Sequence, residues 1–262
     1  MEQITKTVQQ IGNGGHIYLP KELVGQKVVI TLVGKSPEEI EQEILMIVKP
    51  YLKHVIGVYL YGSYARGEQV PGSDIDVLVI TDGKVKLSKR INEYEIVSIS
   101  IEGLEKTLES NAVLVLPILN EAKAVLNEQL IEKYRKTKLT KKNTKWYIET
   151  TSSSLKIAYD WIKDKDTGSM PNIVYPLIMR LRGLHMIECL ILNRKYSTKE
   201  VDRYLGKRLS PDKIRQLNRM YRENRDDKRI NPHSLTYSDI SRLYEAVALY
   251  FKKVRSLWEK LK

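Results

Sequence analysis

Asp74 and Asp76 stand one residue apart in the stretch Tyr61–Ile80, YGSYARGEQVPGSDIDVLVI, where a run of apolar β-formers begins. Side chains on a strand alternate with period 2, so both carboxylates point to one face. Like charges held that close repel and cost stability unless a cation sits between them. Gly62-Ser63 precedes the pair by an interval of ten residues, closing the apolar run VIGVYLY and opening a short helix near Tyr64. Glycine permits a sharp turn and close approach of a ligand, and serine can cap the helix that follows. Free amides at a helix N-terminus form a phosphate site. Such amides facing two carboxylates suit phosphoryl chemistry with a hard divalent ion. Mg²⁺ binds through a few carboxylates plus substrate phosphate, and a pair of ions can activate an attacking hydroxyl and stabilise the leaving oxygens. The plainer alternative is a pair of exposed acids at a strand edge.

The string GSYARG…SDIDVLV resembles the signature of the DNA polymerase β-like nucleotidyltransferase superfamily, especially its minimal members and the kanamycin-type enzymes. That resemblance implies a small twisted mixed sheet over about residues 37–137. It implies transfer of a nucleoside monophosphate from an NTP to a hydroxyl acceptor, with release of pyrophosphate. Gly62 and Ser63 would hold the β/γ-phosphates, and Asp74 and Asp76 would bind Mg²⁺ or Mn²⁺. A third carboxylate is expected on the following strand, where Glu93, Glu95 and Glu102 surround YEIVSISI. Glu95 is the candidate for that catalytic and metal-binding place, since it falls early in the strand with an apolar neighbour on each side. It departs from the usual aspartate by one methylene. Arg66 and Ser73 complete the candidate nucleotide-binding set, and Arg66 can equally be a surface residue after a turn. ATP is one candidate donor, and the acceptor is open.

Around these residues the chain reads as α+β. Ser36-Pro37-Glu38-Glu39 is a helix start, with a cap, proline at the first helical position and acids in the first turn. Ile40, Ile44, Ile47 and Val48 then follow helical spacing to about Tyr51. Strands are expected at Val55–Tyr61, Asp74–Ile80, Tyr94–Ile101 and Ala122–Leu126, with helical or mixed segments at Gly103–Ser110 and Val113–Asn120 and a helix at Glu128–Lys136. From Lys141 the β signals vanish, and helices are expected at about 142–164, 171–194, 198–205, 211–224 and 236–261. Asp164–Met170 and Arg229–Ser234 read as turns. The expected domains are 1–34, 36–137 and 141–262, the last an all-helical domain.

The opening is a separate module. KTVQQIG, HIYL and KVVITL are short β-type runs separated by glycine turns, and Pro20–Leu23 reads as one helical turn ended by Gly25. About 34 residues bury little apolar surface alone. IGNGGHIYLPKELVG is similar to the AbrB-like swapped-hairpin modules, in which two chains interlace. The resemblance implies a homodimer through residues 1–34, and many members of that family bind DNA. Few basic residues between Lys6 and Lys27 put simple dimerisation ahead of DNA reading.

Net charge is +12, and it is unevenly placed. From Lys138 onward 28 Lys and Arg face 14 Asp and Glu, while the first 137 residues carry 16 against 18. The second half therefore suits an anionic partner, with RNA among the candidate acceptors. Arg215, Arg219 and Arg222 recur at helical spacing, either as a solvated face or as a track for a polyanion. The tyrosines and Trp146, Trp161 and Trp258 could stack on bases or serve as core. Arg180 and His185 in RLRGLH are similar to the R-x4-H spacing of HEPN-type ribonucleases, although Leu181 stands where a polar residue is usual. One cysteine, Cys189, excludes an internal disulfide and reads as a small buried hydrophobe. No apolar run is long enough to span a bilayer and the first residues lack a secretion signal's core, so a cytoplasmic protein without membrane partners is expected. A rival to the enzyme is a non-catalytic nucleotidyltransferase-like protein, antitoxin-like or AbrB-like, that regulates a partner or binds DNA.

Overall fold

Strand register decides which of these side chains meet. A computed structural model of the chain describes residues 4, 6, 8–30, 34–70, 72–164, 170–225 and 235–261, and it divides into two units, Met1–Pro37 and Glu38–Lys262. In the first unit, β1 (Gln9–Ile11) pairs antiparallel with β2 (Gly14–His16). A 3-10 turn follows at Lys21–Leu23. The strands are shorter than expected: Ile17–Leu19 and Lys27–Ile30 lie in no strand, and Thr31 and Leu32 lie outside the described residues. Three-residue strands cover little apolar surface. Ile11, Tyr18, Val24, Val29 and Ile30 are accordingly exposed.

The second unit begins one residue into α1 (Pro37–Val48), followed by β3 (Val55–Tyr61), α2 (Gly62–Arg66) and β4 (Ile75–Thr81). A short β5 (Arg90–Ile91), which the sequence pattern did not reveal, leads into β6 (Tyr94–Ser100). There follow α3 (Ile101–Ser110), α4 (Leu116–Glu121), β7 (Lys123–Leu126) and α5 (Glu128–Arg135). The sheet order is β5-β6-β4-β3-β7. β4 and β6 are parallel and every other pair is antiparallel. Parallel neighbours need a crossover, which the long β4–β6 connection supplies.

Alternation sorts the side chains into two layers. Val58, Val77, Val79 and Ile96 meet Ile40, Ile44 and Val48 of α1 on one face. Tyr59, Leu78 and Ile80 meet Leu104, Leu116, Leu119 and Ile131 on the other. Asp76 shares the parity of Leu78 and Ile80, so it continues the second apolar row at its end. Packing of both faces fixes the register, because a one-residue slip would turn both rows inside out.

The remaining helices are α6 (Lys141–Asp164), α7 (Met170–Ile191), α8 (Thr198–Leu205), α9 (Pro211–Arg225) and α10 (Tyr237–Trp258). They agree with the periodicity reading to within a few residues. Leu177, Leu181, Leu184, Leu217, Leu243 and Val247 form their core. Ser197 caps α8, and Thr236 with Asp239 forms a reciprocal capping box on α10. Most of the two expected turns, residues 165–169 and 229–234, lies outside the described residues. Among the described residues no helix is long and apolar enough to cross a membrane.

Candidate active site

The site lies where β3 ends and β4 and β6 begin. Tyr61 pairs with Asp76 across β3 and β4, Asp76 with Glu95 across β4 and β6, and Glu95 with Arg90 across β6 and β5. Opposed residues in a ladder share a face, so Asp76 and Glu95 stand side by side on it. Gly62 has φ +74° at the turn into α2, and a Cβ there would collide with the Asp76 carboxylate. Only glycine lets the backbone lie this close in this conformation. Gly67, also left-handed, ends α2.

The charges are unevenly compensated. Burial and the neighbouring Glu95 and Asp74 push Asp76 up to about 7, against the opposing charges of Arg225 and Arg66. Burial, reinforced by Asp76, Glu95 and Glu121, also pushes the Tyr61 phenol well above its ordinary range. The Glu95 side chain makes no hydrogen bond or ion pair among the described residues. Asp74 is different. Just before β4, it accepts from the Arg90 guanidinium at 2.5 Å and faces Arg225 at 3.6 Å.

Asp74, Asp76 and Glu95 therefore do not bring one oxygen each within 4.8 Å of one another, as a compact three-ligand cluster would. Their chemistry still fits a hard divalent ion. All are carboxylates, burial and the neighbouring acids push Asp76 up to about 7, and the Glu95 side chain has no partner among the described residues. Arg90 is the residue a cation would have to replace at Asp74.

The other candidates occupy specific places. The Gly62 amide donates to Glu121 Oε1 at 2.9 Å, so a carboxylate stands where a phosphate oxygen was expected. Arg66 donates to Glu68 at 3.0 Å and to Glu121 at 2.7 Å, and its guanidinium lies 5.4 Å from the centre of the Tyr196 ring. It braces the Gly62 turn against Glu121. Ser63 Oγ makes no hydrogen bond among the described residues, whereas Ser73 Oγ accepts from the Val70 amide and closes the preceding turn. Glu68 also accepts from Ser197 Oγ at 2.7 Å, tying the turn after α2 to the cap of α8.

Sequence reasoning missed Tyr61, Arg90, Glu121 and Arg225. Arg90 was findable in principle, five residues before Glu95 on a hairpin, but Glu121 and Arg225 arrive from distant helices and carry no spacing signal. Arg180 and His185 do not come together as a site. Arg180 donates to Thr150 at 3.1 Å and lies over the Tyr147 ring. His185 is buried among Tyr250, Glu188 and Glu200, and that burial lowers its pKa. Arg182 likewise bonds Asn218 and stacks on Tyr221.

Residues 41–148 match the family model of the nucleotidyltransferase domain. This part of the chain is a nucleotidyltransferase domain. Residues 2–36 match a second model, described as "Putative transposon-encoded protein" (DUF2080). No curated protein matches the chain. Among solved structures, one similar chain is the spectinomycin adenyltransferase AAD(9) from Enterococcus faecialis with ATP and spectinomycin. It is 11% identical with a TM-score of 0.42, over 84% of this chain and all (100%) of that one. A nucleotidyltransferase-like protein from Exiguobacterium sibiricum is 15% identical with a TM-score of 0.32, over 84% of this chain and 77% of that one. A toxin–antitoxin structure with AMP-PNP is 19% identical with a TM-score of 0.27, over 36% of this chain and 79% of that one.

Proposed function

We propose that the chain transfers a nucleoside monophosphate from a nucleoside triphosphate to a hydroxyl acceptor and releases pyrophosphate. The observation that carries this reading is the ladder pairing of Asp76 with Glu95 on the face closed by Gly62. Asp74, Asp76 and Glu95 would hold Mg²⁺ or Mn²⁺, which when bound would screen the triphosphate and acidify the attacking hydroxyl. To take part, Asp74 would have to exchange the Arg90 guanidinium for the ion. Glu95 takes the proton from the acceptor hydroxyl at a carboxylate oxygen. The hydroxyl oxygen bonds the α-phosphorus as the α–β bridging bond breaks, its electron pair leaving with pyrophosphate. Ser63 offers its free hydroxyl to the departing phosphates, while Arg66 and Ser73 hold the turns on either side.

Calorimetry with a non-hydrolysable NTP tests the assignment. Binding should require Mg²⁺ or Mn²⁺, and should disappear with chelator and in the combined Asp74→Asn, Asp76→Asn variant. Equal binding in all three conditions overturns it. A second reading, a non-catalytic regulator on the same fold, draws on the arginine pairs that Asp74 already makes. Absence of pyrophosphate release with every NTP and acceptor, despite metal-dependent binding, would favour that reading.

The working division into residues 1–34, 36–137 and 141–262 gives each part a role. Residues 1–34 would form a homodimer, supported by their exposed Ile11, Tyr18, Val24 and Val29. Light scattering of the full chain against one starting at Gly34 decides this, and two monomers would rule it out. The helical part would receive the acceptor. Arg215, Arg219 and Arg222 all lie exposed on one side of α9, which supports an anionic acceptor such as RNA.

A further inference from the structure

Away from the carboxylate site, His185 and Cys189 lie one turn apart on α7 and face Glu200 in the first turn of α8. His185 is 4% exposed and Cys189 is 2% exposed, while the Glu200 side chain is 42% exposed and opens the group to solvent. One ligand atom from each lies within 4.8 Å of the other two, and this is the one cluster of three such residues among the described residues. His185 Nε2 is 3.7 Å from Cys189 Sγ and 3.3 Å from Glu200 Oε2.

Those separations have a specific meaning. A tetrahedral zinc ion binds sulfur at ~2.3 Å and nitrogen or oxygen at ~2.1 Å, so its ligands stand about 3.6 Å (N···S) and about 3.4 Å (N···O) apart. The observed spacings are close to both. The histidine is also in the required tautomer. Tyr250 donates its hydroxyl proton to Glu188, so its oxygen is left to accept from His185 Nδ1 at 2.9 Å. With Nδ1 carrying the hydrogen, Nε2 keeps a lone pair that faces the Glu200 carboxylate, while Cys189 Sγ lies beside the ring, 3.7 Å from Nε2 and 3.9 Å from Nδ1. That lone pair and the Glu200 carboxylate repel each other unless something positive lies between them. A ring nitrogen fixed by a hydrogen bond to its far side is the usual support of a metal-bound histidine.

We infer that His185 Nε2, Cys189 Sγ and Glu200 Oε2 form a binding site for a Zn²⁺-class divalent ion, with a fourth position open to water. Binding would release one proton from the Cys189 thiol to solvent and involves no redox step. A mixed nitrogen, sulfur and carboxylate set favours zinc or cobalt over magnesium, so this site is chemically distinct from the carboxylates of the sheet. It would clamp the start of α8 onto α7. That is the segment whose Tyr196 and Ser197 reach Arg66 and Glu68.

Cobalt titration of the chelator-stripped full-length protein tests this. One equivalent of Co²⁺ should produce thiolate-to-cobalt charge-transfer absorption with the intense visible bands of tetrahedral coordination. Cys189→Ser should lose the charge-transfer band, and Glu200→Gln should weaken cobalt binding at least tenfold. The combined Asp74→Asn, Asp76→Asn variant should keep the band. Because Cys189→Ser alters a buried side chain, a second measurement uses the unaltered protein. Stoichiometric Zn²⁺ should slow alkylation of Cys189 at least tenfold, and Mg²⁺ should not. An absent thiolate band, or alkylation indifferent to zinc, overturns the proposal.

Discussion

Asp76 and Glu188 are both carboxylates withdrawn from water, one at the end of a sheet and one inside a helical bundle, and their surroundings push them in opposite directions. Burial alone would raise both. At Glu188, hydrogen bonds from Lys253 and Tyr250 and the charge of Arg194 more than offset it, so its pKa falls below the ordinary value. At Asp76, Glu95 and Asp74 add to the burial effect, and Arg225 and Arg66 offset it only in part. The bundle completes its charge with its own cations. The sheet end leaves a deficit of positive charge beside a turn that only glycine can make, and such a deficit is what a bound cation relieves.

The sharpest break of this comparison is loss of the deficit itself. Asp74→Asn with Asp76→Asn should lower pyrophosphate release by about a thousandfold or more, since several kcal/mol of charge stabilisation in the transition state would go. A fall of less than tenfold in a steady-state assay would mean the pair is not catalytic. Gly62→Ala should cost roughly 2–4 kcal/mol of stability, from its left-handed backbone and the collision with Asp76. Urea denaturation measures it, and a neutral result would show that the turn relaxes easily.

Glu188→Gln should cost roughly 1–3 kcal/mol by the same measurement, because Tyr250 loses a charged acceptor in a buried place. The two acids also give opposite pH slopes. Asp76 titrates at about 7 when folded against 3.8 ordinarily. The folded state thus binds the extra proton between those values, and stability falls as pH rises from about 4 to 7. Removing that penalty should leave Asp76→Asn more stable than the unaltered chain at pH 8 by roughly 1–2 kcal/mol. Saturating Mg²⁺ should flatten the slope if the pair binds it. Glu188 contributes in the other sense: its stabilisation is present above 4.5 and is lost as pH falls through its lower folded value. Identical pH profiles for the two variants would erase the distinction.

The smallest effect concerns the exposed stripe on α9, where Arg215 pairs with Asp212 and Arg219 with Glu223. For a short structured RNA, removing Arg215, Arg219 and Arg222 should flatten the log K against log salt slope by about one unit per lost phosphate contact. Because two of the three already have acidic partners, a change nearer one unit than three is expected.

Much of the architecture was legible in the sequence because it depends on local periodicity. Ile40, Ile44 and Val48 mark a helix by spacing alone, and VIGVYLY marks a strand by composition alone. The helices after Lys141 follow for the same reason. The two-residue β5 escaped notice because it is too short to carry a period. The third run of the opening module, expected as a strand, has no pairing at Lys27–Ile30 among the described residues, since composition can suggest a strand but cannot supply its partner.

The site divides along the same line. Asp74, Asp76 and Gly62-Ser63 are close in sequence, and their types and interval alone pointed to the phosphoryl-transfer reading proposed for this site. That Glu95, rather than Glu93 or Glu102, stands beside Asp76 was decided by the parallel register of β4 and β6, which depends on core side chains packed on both faces. That Asp74 meets Arg90 and Arg225, and that Glu121 occupies the Gly62 amide, was decided by elements 16 to 151 residues away in the chain. Spacing along a chain encodes which face a side chain takes within its own element. Which charges then meet across that face depends on how separate elements pack, and only the tertiary structure holds that information.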